Sequence, residues 1–283
     1  MSGASDFTDA LNAAVGMVPK LPRVRFECGL KPDAVRWLGK KHAGGAVHEP
    51  GTLAAFLALR QHYPDVRRIF DIGALFGYFA LWAGSLWDAA KVSAFDMHPS
   101  AVQTLAVNTW PGTRVIWGVV GDRNEAKVKV WLSCFNIYEQ PDGGWERLAE
   151  APGAMKQRGD NNQGRGFATL NFFTLDRYCS ETGEVPDLIK MDVEGFQTKA
   201  VQGSLVTIAT HRPLLLIELH DPEKTARLHT SNYETVKPIL DLGYRGYWCP
   251  NFRASDARFV PVDAMGPEHE RLSLMVLVPE GRA

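Results

Sequence analysis

Apolar positions in this chain fall into short bursts of two kinds. Val66–Ile72, Val92–Asp96, Thr113–Val120, Val185–Asp192 and Arg212–His220 are β-branched or aromatic runs of strand length. Tyr78–Leu86 has the denser apolar spacing of a buried helix, and Ser100–Asn108 follows Pro99 as a second helix. Strands that alternate with helices predict an α/β fold built on a mostly parallel sheet. Tyr244–Cys249 and Leu272–Val278 are expected as a closing pair, and Lys127–Leu132 as an extra strand outside the core sheet. Pro141–Gly166 is rich in Gly, Pro, Asn and charge, which predicts a long loop, either a lid or a surface excursion. Residues 1–65 are expected as an N-terminal, partly helical extension, with the main domain over 66–283 and a loop insertion at about 123–168.

The first strand and the helix after it are joined by Asp71-Ile-Gly-Ala-Leu-Phe-Gly77. Gly73 and Gly77 permit a sharp turn with close backbone approach, and the helix start offers N–H groups to a ligand. The spacing is D-x-G-x-x-x-G, whereas dinucleotide sites use G-x-G-x-x-G. An acid just before the first glycine suits a ligand with an ammonium group better than a pyrophosphate, which points to S-adenosylmethionine. Asp96 ends the next strand 19 residues after Gly77, close to the spacing at which nucleotide folds place a carboxylate on ribose hydroxyls. Its other expected role is to cap the helix that follows.

Composition narrows the class. A chain of 283 residues can bury a substantial core. Its formal charge of −1 carries no electrostatic footprint of a nucleic-acid binder. No apolar run approaches the roughly 20 residues of a membrane span. The start lacks the basic and apolar segments of a signal peptide. Cys28, Cys134, Cys179 and Cys249 are widely spaced, as expected of reduced thiols in a cytoplasmic protein rather than a disulfide frame or zinc site.

Two further strands carry polar residues where burial should exclude them. In Pro186-Asp-Leu-Ile-Lys-Met-Asp-Val-Glu-Gly195, Lys190 and Asp192 share a face. Lys190 is expected to pair with a neighbouring carboxylate, while Asp192 stands at the carboxyl end where open α/β sheets bind ligands. In Pro213-Leu-Leu-Leu-Ile-Glu-Leu-His220, Glu218 and His220 likewise share a face at the end of an apolar run. If the two strands are neighbours, Asp192, Glu218 and His220 converge, either to take a proton from a hydroxyl or to hold a divalent cation.

With these blocks in order, the chain resembles the FkbM-type S-adenosylmethionine-dependent methyltransferases over roughly residues 49–250. The resemblance is carried by residues 71–81, 95–99, Leu175-Asp-Arg-Tyr, residues 187–197 and residues 212–220, of which Lys-Met-Asp-Val-Glu-Gly is the most specific. Glu49-Pro-Gly-Thr resembles the glutamate-bearing segment upstream of the first family strand. The resemblance implies a class I, Rossmann-like, seven-stranded sheet with helices on both faces and one antiparallel strand. It implies methyl transfer to a hydroxyl on a sugar, glycolipid or polyketide-type product. S-adenosylmethionine is then expected at Asp71, Gly73, Ala74 and Gly77, at Asp96 and Met97, and at Glu49, Gly121 and Asp122. Leu75 stands where the family usually has a smaller or polar residue such as Asn, Asp96 where Glu is more usual, and Gln197 where Glu is frequent.

The expected chemistry is direct transfer, with His220 as the preferred general base, Asp192 orienting substrate or cofactor, and Glu218 orienting His220 or sharing a metal. A metal-free site is preferred because a base needs fewer groups in register. The acceptor is expected to be a small molecule or glycan. A dehydrogenase would need a different glycine spacing. A nucleic-acid methyltransferase would need a basic surplus and an Asn/Asp-Pro-Pro-Tyr/Phe tetrapeptide. An inactive cofactor-binding or scaffold protein would lose the polar strand ends.

Overall fold

The computed structural model describes residues 3–18, 47–108, 112–133, 136–139 and 166–282. Its strands in chain order are β1 (Arg68–Ile72), β2 (Lys91–Asp96), β3 (Arg114–Trp117), β4 (Val119–Val120), β5 (Glu125–Ser133), β6 (Asn136–Glu139) and β7 (Gly166–Phe173), followed by β8 (Leu188–Met191), β9 (Leu214–Leu219), β10 (Tyr244–Cys249), β11 (Val260–Val262) and β12 (Ser273–Pro279). The helices are α1 (Gly3–Val15), α2 (Pro50–His62), α3 (Tyr78–Leu86), α4 (Pro99–Asn108), α5 (Leu175–Thr182), α6 (Gln197–Gln202), α7 (Leu205–His211), α8 (Pro222–Ala226) and α9 (Asn232–Asp241).

Eight strands form the main sheet in the order β11-β10-β12-β9-β8-β1-β2-β3. β3, β2, β1, β8 and β9 are mutually parallel, while β12 runs antiparallel to both β9 and β10. Every residue of β8 and β9 is buried, as strands covered on both faces must be. This is the expected Rossmann-like α/β sheet with one strand more than the expected seven. The addition is β11, antiparallel to β10 at the edge. Its Val-Pro-Val sequence gives no strand signal, and Pro261 is tolerated because an edge strand has one unpaired side.

The expected third strand, Thr113–Val120, divides between two sheets. Gly118 separates β3 from β4, which joins β7, β5 and β6 in a second sheet. A side chain at Gly118 would lie 2.8 Å from the Asn171 carbonyl oxygen, so glycine lets the chain change sheets there. β5 covers the expected extra strand. The predicted loop at 141–166 lies outside the described residues except for Gly166, which opens β7.

Successive residues of the central strands feed opposite faces of the main sheet. Ile69, Leu188 and Leu216 face a layer containing Phe56 of α2, Phe79 and Trp82 of α3 and Leu11 of α1. Phe70, Ile189 and Ile217 face α5, α6, α7 and α9 through Cys179, Val201, Ile208 and Ile239. The N-terminal helix is fixed by more than apolar packing. Asn12 donates to the Phe259 carbonyl at 3.1 Å and accepts the Phe259 N–H at 2.8 Å. Helix α5 starts at Thr174, whose side chain accepts the Arg177 N–H, and stops at Gly183 in the left-handed region.

Candidate active site

The order of parallel strands reverses between β1 and β8, the switch point at which open α/β sheets bind ligands beyond their carboxyl ends. A cavity opens there. Its walls include Ile72, Gly73, Phe95, Asp96, Met97, Val119, Ile137, Asp192, Glu194 and Phe196. Thus β1, β2 and β8 each deliver residues to one space.

The turn after β1 is built by its glycines. Gly73 has φ +78°, and an added Cβ would lie 1.8 Å from the Asp192 carbonyl oxygen. Gly77, at φ +90°, is the residue before α3. Four N–H groups of the turn are spent within the fold. Gly73 and Ala74 both donate to the Phe95 carbonyl, Leu75 donates to Asp96 Oδ2 at 2.8 Å, and Gly77 donates to Ala74. Leu75 sits at φ +50°, a region an L-residue without a polar side chain rarely adopts. Asn would tolerate this conformation better than Leu.

Asp96 does more than cap a helix. Its two oxygens accept the N–H groups of Leu75 and His98, each at 2.8 Å, while its side chain lines the cavity. The start of α4 is capped instead by His98, whose Nδ1 accepts the Ser100 N–H at 3.2 Å. Burial pushes the Asp96 carboxyl upward against these two hydrogen bonds. Each oxygen retains a second lone pair.

Asp71 lies beneath the turn and does not reach the cavity wall. It is buried against Lys190, with Nζ 3.4 Å from Oδ1, and neither of its oxygens has a hydrogen bond of good geometry. Burial raises the Asp71 carboxyl, and Lys190 opposes the rise. Burial alone would depress the Lys190 ammonium, but the charges of Asp71, Asp192, Glu49 and Glu218 outweigh it and drive its pKa upward. The pairing expected for Lys190 is therefore present, and its ammonium also sits 4.7 Å over the Phe79 ring.

Beyond the ends of β8 and β9, Asp192, Glu218 and His220 come together with donor atoms all within 4.8 Å of one another. His220 Nε2 lies 3.7 Å from Asp192 Oδ1, 3.6 Å from Glu218 Oε1 and 3.5 Å from Glu194 Oε2. The imidazole is buried, and neither ring nitrogen has a hydrogen-bond partner. Asp192 lines the cavity, whereas His220 is not part of its wall.

Three more residues complete this mouth without having stood out as its members. Glu194, at φ +53°, accepts from the Lys224 ammonium. Burial raises its carboxyl, but His220 and Lys224 together pull it down to about 2. Arg253, in the connection after β10, donates to Glu218 Oε1 at 2.7 Å and to Glu49 Oε1 at 3.3 Å. Glu49 is buried at φ +52°, with His48 Nε2 3.2 Å from the same oxygen. Burial and the charges of Asp192 and Glu49 raise the Glu218 carboxyl well above its ordinary range, against Arg253 and Lys190. The αL backbone of Glu194 and the loop position of Arg253 left no periodic signal in the sequence.

The remaining expected cofactor residues lie away from the cavity wall. Gly121 packs against the Phe196 ring, and Asp122 pairs with Lys199 at 2.9 Å. Glu49 belongs to the charged mouth, while Ala74 and Gly77 shape the turn from beneath.

A carboxylate on an apolar cavity wall at the switch point, with a crowded ionic mouth beside it, defines a ligand-binding α/β enzyme fold. The methyltransferase FkbM domain matches residues 71–246, and the chain belongs to this family of methyltransferases. No curated protein sequence matches it. Among solved structures, it is similar to methyltransferase FkbM from Methylobacillus flagellatus KT, with 13% identity and a TM-score of 0.42 over 96% of this chain. This chain spans 60% of that protein's length. A candidate caffeoyl-CoA O-methyltransferase from Staphylococcus aureus gives 13% identity and a TM-score of 0.42, covering 87% of this chain and 91% of the other. The fibrillarin pre-rRNA processing protein of Methanococcus jannaschii gives 12% and 0.39, covering 77% and 68%. No described helix is long and apolar enough to cross a membrane.

Proposed function

We propose that this chain is an S-adenosylmethionine-dependent O-methyltransferase acting on a hydroxyl of a sugar, glycolipid or polyketide-type product. The observation that carries this reading is the cavity between β1, β2 and β8, with Asp96 on one wall and Asp192 on another. The apolar walls suit a purine-like ring, and the spare lone pairs of Asp96 suit two ribose hydroxyls. When bound, the cofactor supplies a methyl group made electrophilic by its sulfonium. The chain's own part is to align an acceptor oxygen at the mouth, exclude water and remove the hydroxyl proton.

Proton removal falls to the Asp192–Glu218–His220 cluster, because it adjoins the cavity and holds groups with unused acceptor capacity. Asp71, locked to Lys190, keeps the turn in place. The formal charge of −1 supports a small-molecule or glycan acceptor over nucleic acid. Free thiols at Cys179 and Cys249 support a reducing, cytoplasmic setting. Residues 66–283 are taken as the methyltransferase domain and residues 1–65 as its extension.

Isothermal titration with S-adenosylmethionine and with NAD, joined to native mass spectrometry of the purified protein, tests the assignment. Affinity for S-adenosylmethionine or co-purified S-adenosylhomocysteine is expected. Affinity for NAD with none for S-adenosylmethionine would overturn it.

A further inference from the structure

We propose that Asp192, Glu218 and His220 form a divalent-cation site at the carboxyl ends of β8 and β9. The inference deepens the methyltransferase reading, on which it relies for the site's role but not for its existence.

Three features favour a shared cation over a free base. The first is distance. Donors held about 2.0–2.6 Å from one cation lie no more than about 4–5 Å apart, and these three sets of atoms meet that limit at 4.8 Å. The separations from His220 Nε2 to Asp192 Oδ1 and Glu218 Oε1, 3.7 and 3.6 Å, are too long for hydrogen bonds yet natural for ligands around an ion.

The second is the imidazole itself. His220 is 1% exposed, with both ring nitrogens lacking a hydrogen-bond partner and Nε2 facing three carboxylates. A buried polar group left unmatched is costly, and this one points into the cluster. Asp192 divides its oxygens cleanly. Oδ2 faces Lys190, while Oδ1 is buried, unbonded and turned to His220.

The third is charge. Glu49, Asp71, Asp192, Glu194 and Glu218 bring five carboxylates, against three permanent cations in Lys190, Lys224 and Arg253. Carboxyl groups thus outnumber permanent cations around His220, a setting that suits a bound divalent ion. Arg253 on Glu218 and Lys190 on Asp192 then orient ligating carboxylates, as outer-shell partners do. Two carboxylates and one imidazole suit a hard-to-borderline ion, for which Mn²⁺ is a practical probe. Because Asp192 lines the cavity, the ion would lie beside it, where a Lewis acid would acidify a nearby hydroxyl.

The test is Mn²⁺ titration of the chelator-stripped, full-length protein by electron paramagnetic resonance, with nitrogen coupling read from the bound ion. One bound Mn²⁺ per chain with imidazole coupling is expected. His220→Gln should lose that coupling, and His220→Gln and Glu218→Gln should each weaken binding by at least about tenfold. Glu181→Gln, at an exposed carboxylate on α5, should match wild type. Circular dichroism without metal checks folding, and Asp192→Asn, at the more exposed ligand, supplies the readout if either buried variant fails to fold. Wild-type binding no different from that of the ligand variants would overturn the site, as would unchanged nitrogen coupling in folded His220→Gln. Titration with S-adenosylmethionine in parallel separates the two ideas. Cofactor affinity without bound Mn²⁺ overturns the cation site alone. Bound Mn²⁺ with imidazole coupling but no cofactor affinity upholds the site and removes the methyltransferase reading.

Discussion

The two sides of the cavity solve opposite problems. At the ends of β1 and β2 four N–H groups of the turn return to Phe95, Ala74 and Asp96. One carboxylate, Asp96, is left to meet a ligand. At the ends of β8 and β9 the side chains are crowded with charge, and the buried nitrogens of His220 have no hydrogen-bond partner. A turn bonded in this way makes a rigid seat, while an incompletely matched cluster stores the capacity to act on something that arrives. The proposed function divides binding and chemistry between these two pairs of strands, which meet where Gly73 lies against Asp192.

That junction is the place to break both sides together. Gly73→Ala drives a Cβ into the Asp192 carbonyl at a left-handed φ, so a destabilisation above about 4 kcal/mol is expected in urea unfolding. A loss below about 1 kcal/mol would show that the two mouths are not mechanically joined there. Asp71→Ala removes the nearest partner of the buried Lys190 and should cost about 3–5 kcal/mol in the same measurement. Asp71→Ala that unfolds like wild type would mean that Asp192 alone can hold that ammonium.

The next variants separate the sides. His220→Ala should lower methyl transfer by roughly 10²–10⁴-fold with cofactor affinity nearly unchanged, since it touches only the charged mouth. Equal losses in turnover and cofactor binding would refute the division of labour. Asp96→Asn should do the reverse, costing about 1–2 kcal/mol of cofactor affinity by calorimetry. The smallest effect is a gain. Leu75→Asn relaxes a left-handed residue and should stabilise the fold by up to about 1 kcal/mol, seen as a higher denaturation midpoint.

The side of the turn was also the legible one. Gly73, Gly77 and Asp96 are close in the chain, so their spacing announces a strand, a turn and a second strand. Lys190, Asp192, Glu218 and His220 were visible for another reason, as polar residues interrupting apolar strands. What sequence did not reveal was where their partners come from. Glu194 joins through a left-handed backbone, and Arg253 through a connection with no periodicity. The turn's internal hydrogen bonds depend on Phe95, a carbonyl from the neighbouring strand. Gly118 splits a continuous apolar run because it must pass the Asn171 carbonyl, a contact set by tertiary structure.

Arg253 gives the molecule a built-in order of assembly. It ties Glu218, 35 residues before it, to Glu49, 204 residues before it. The 204-residue span to Glu49 makes that contact entropically slow to close. During synthesis β1, β2, β8 and β9 all emerge before Arg253 does. A nascent chain can therefore hold most of its central sheet while Glu49 and Glu218 are still unclamped. The charged mouth thus reaches its final form only after Arg253 has been made.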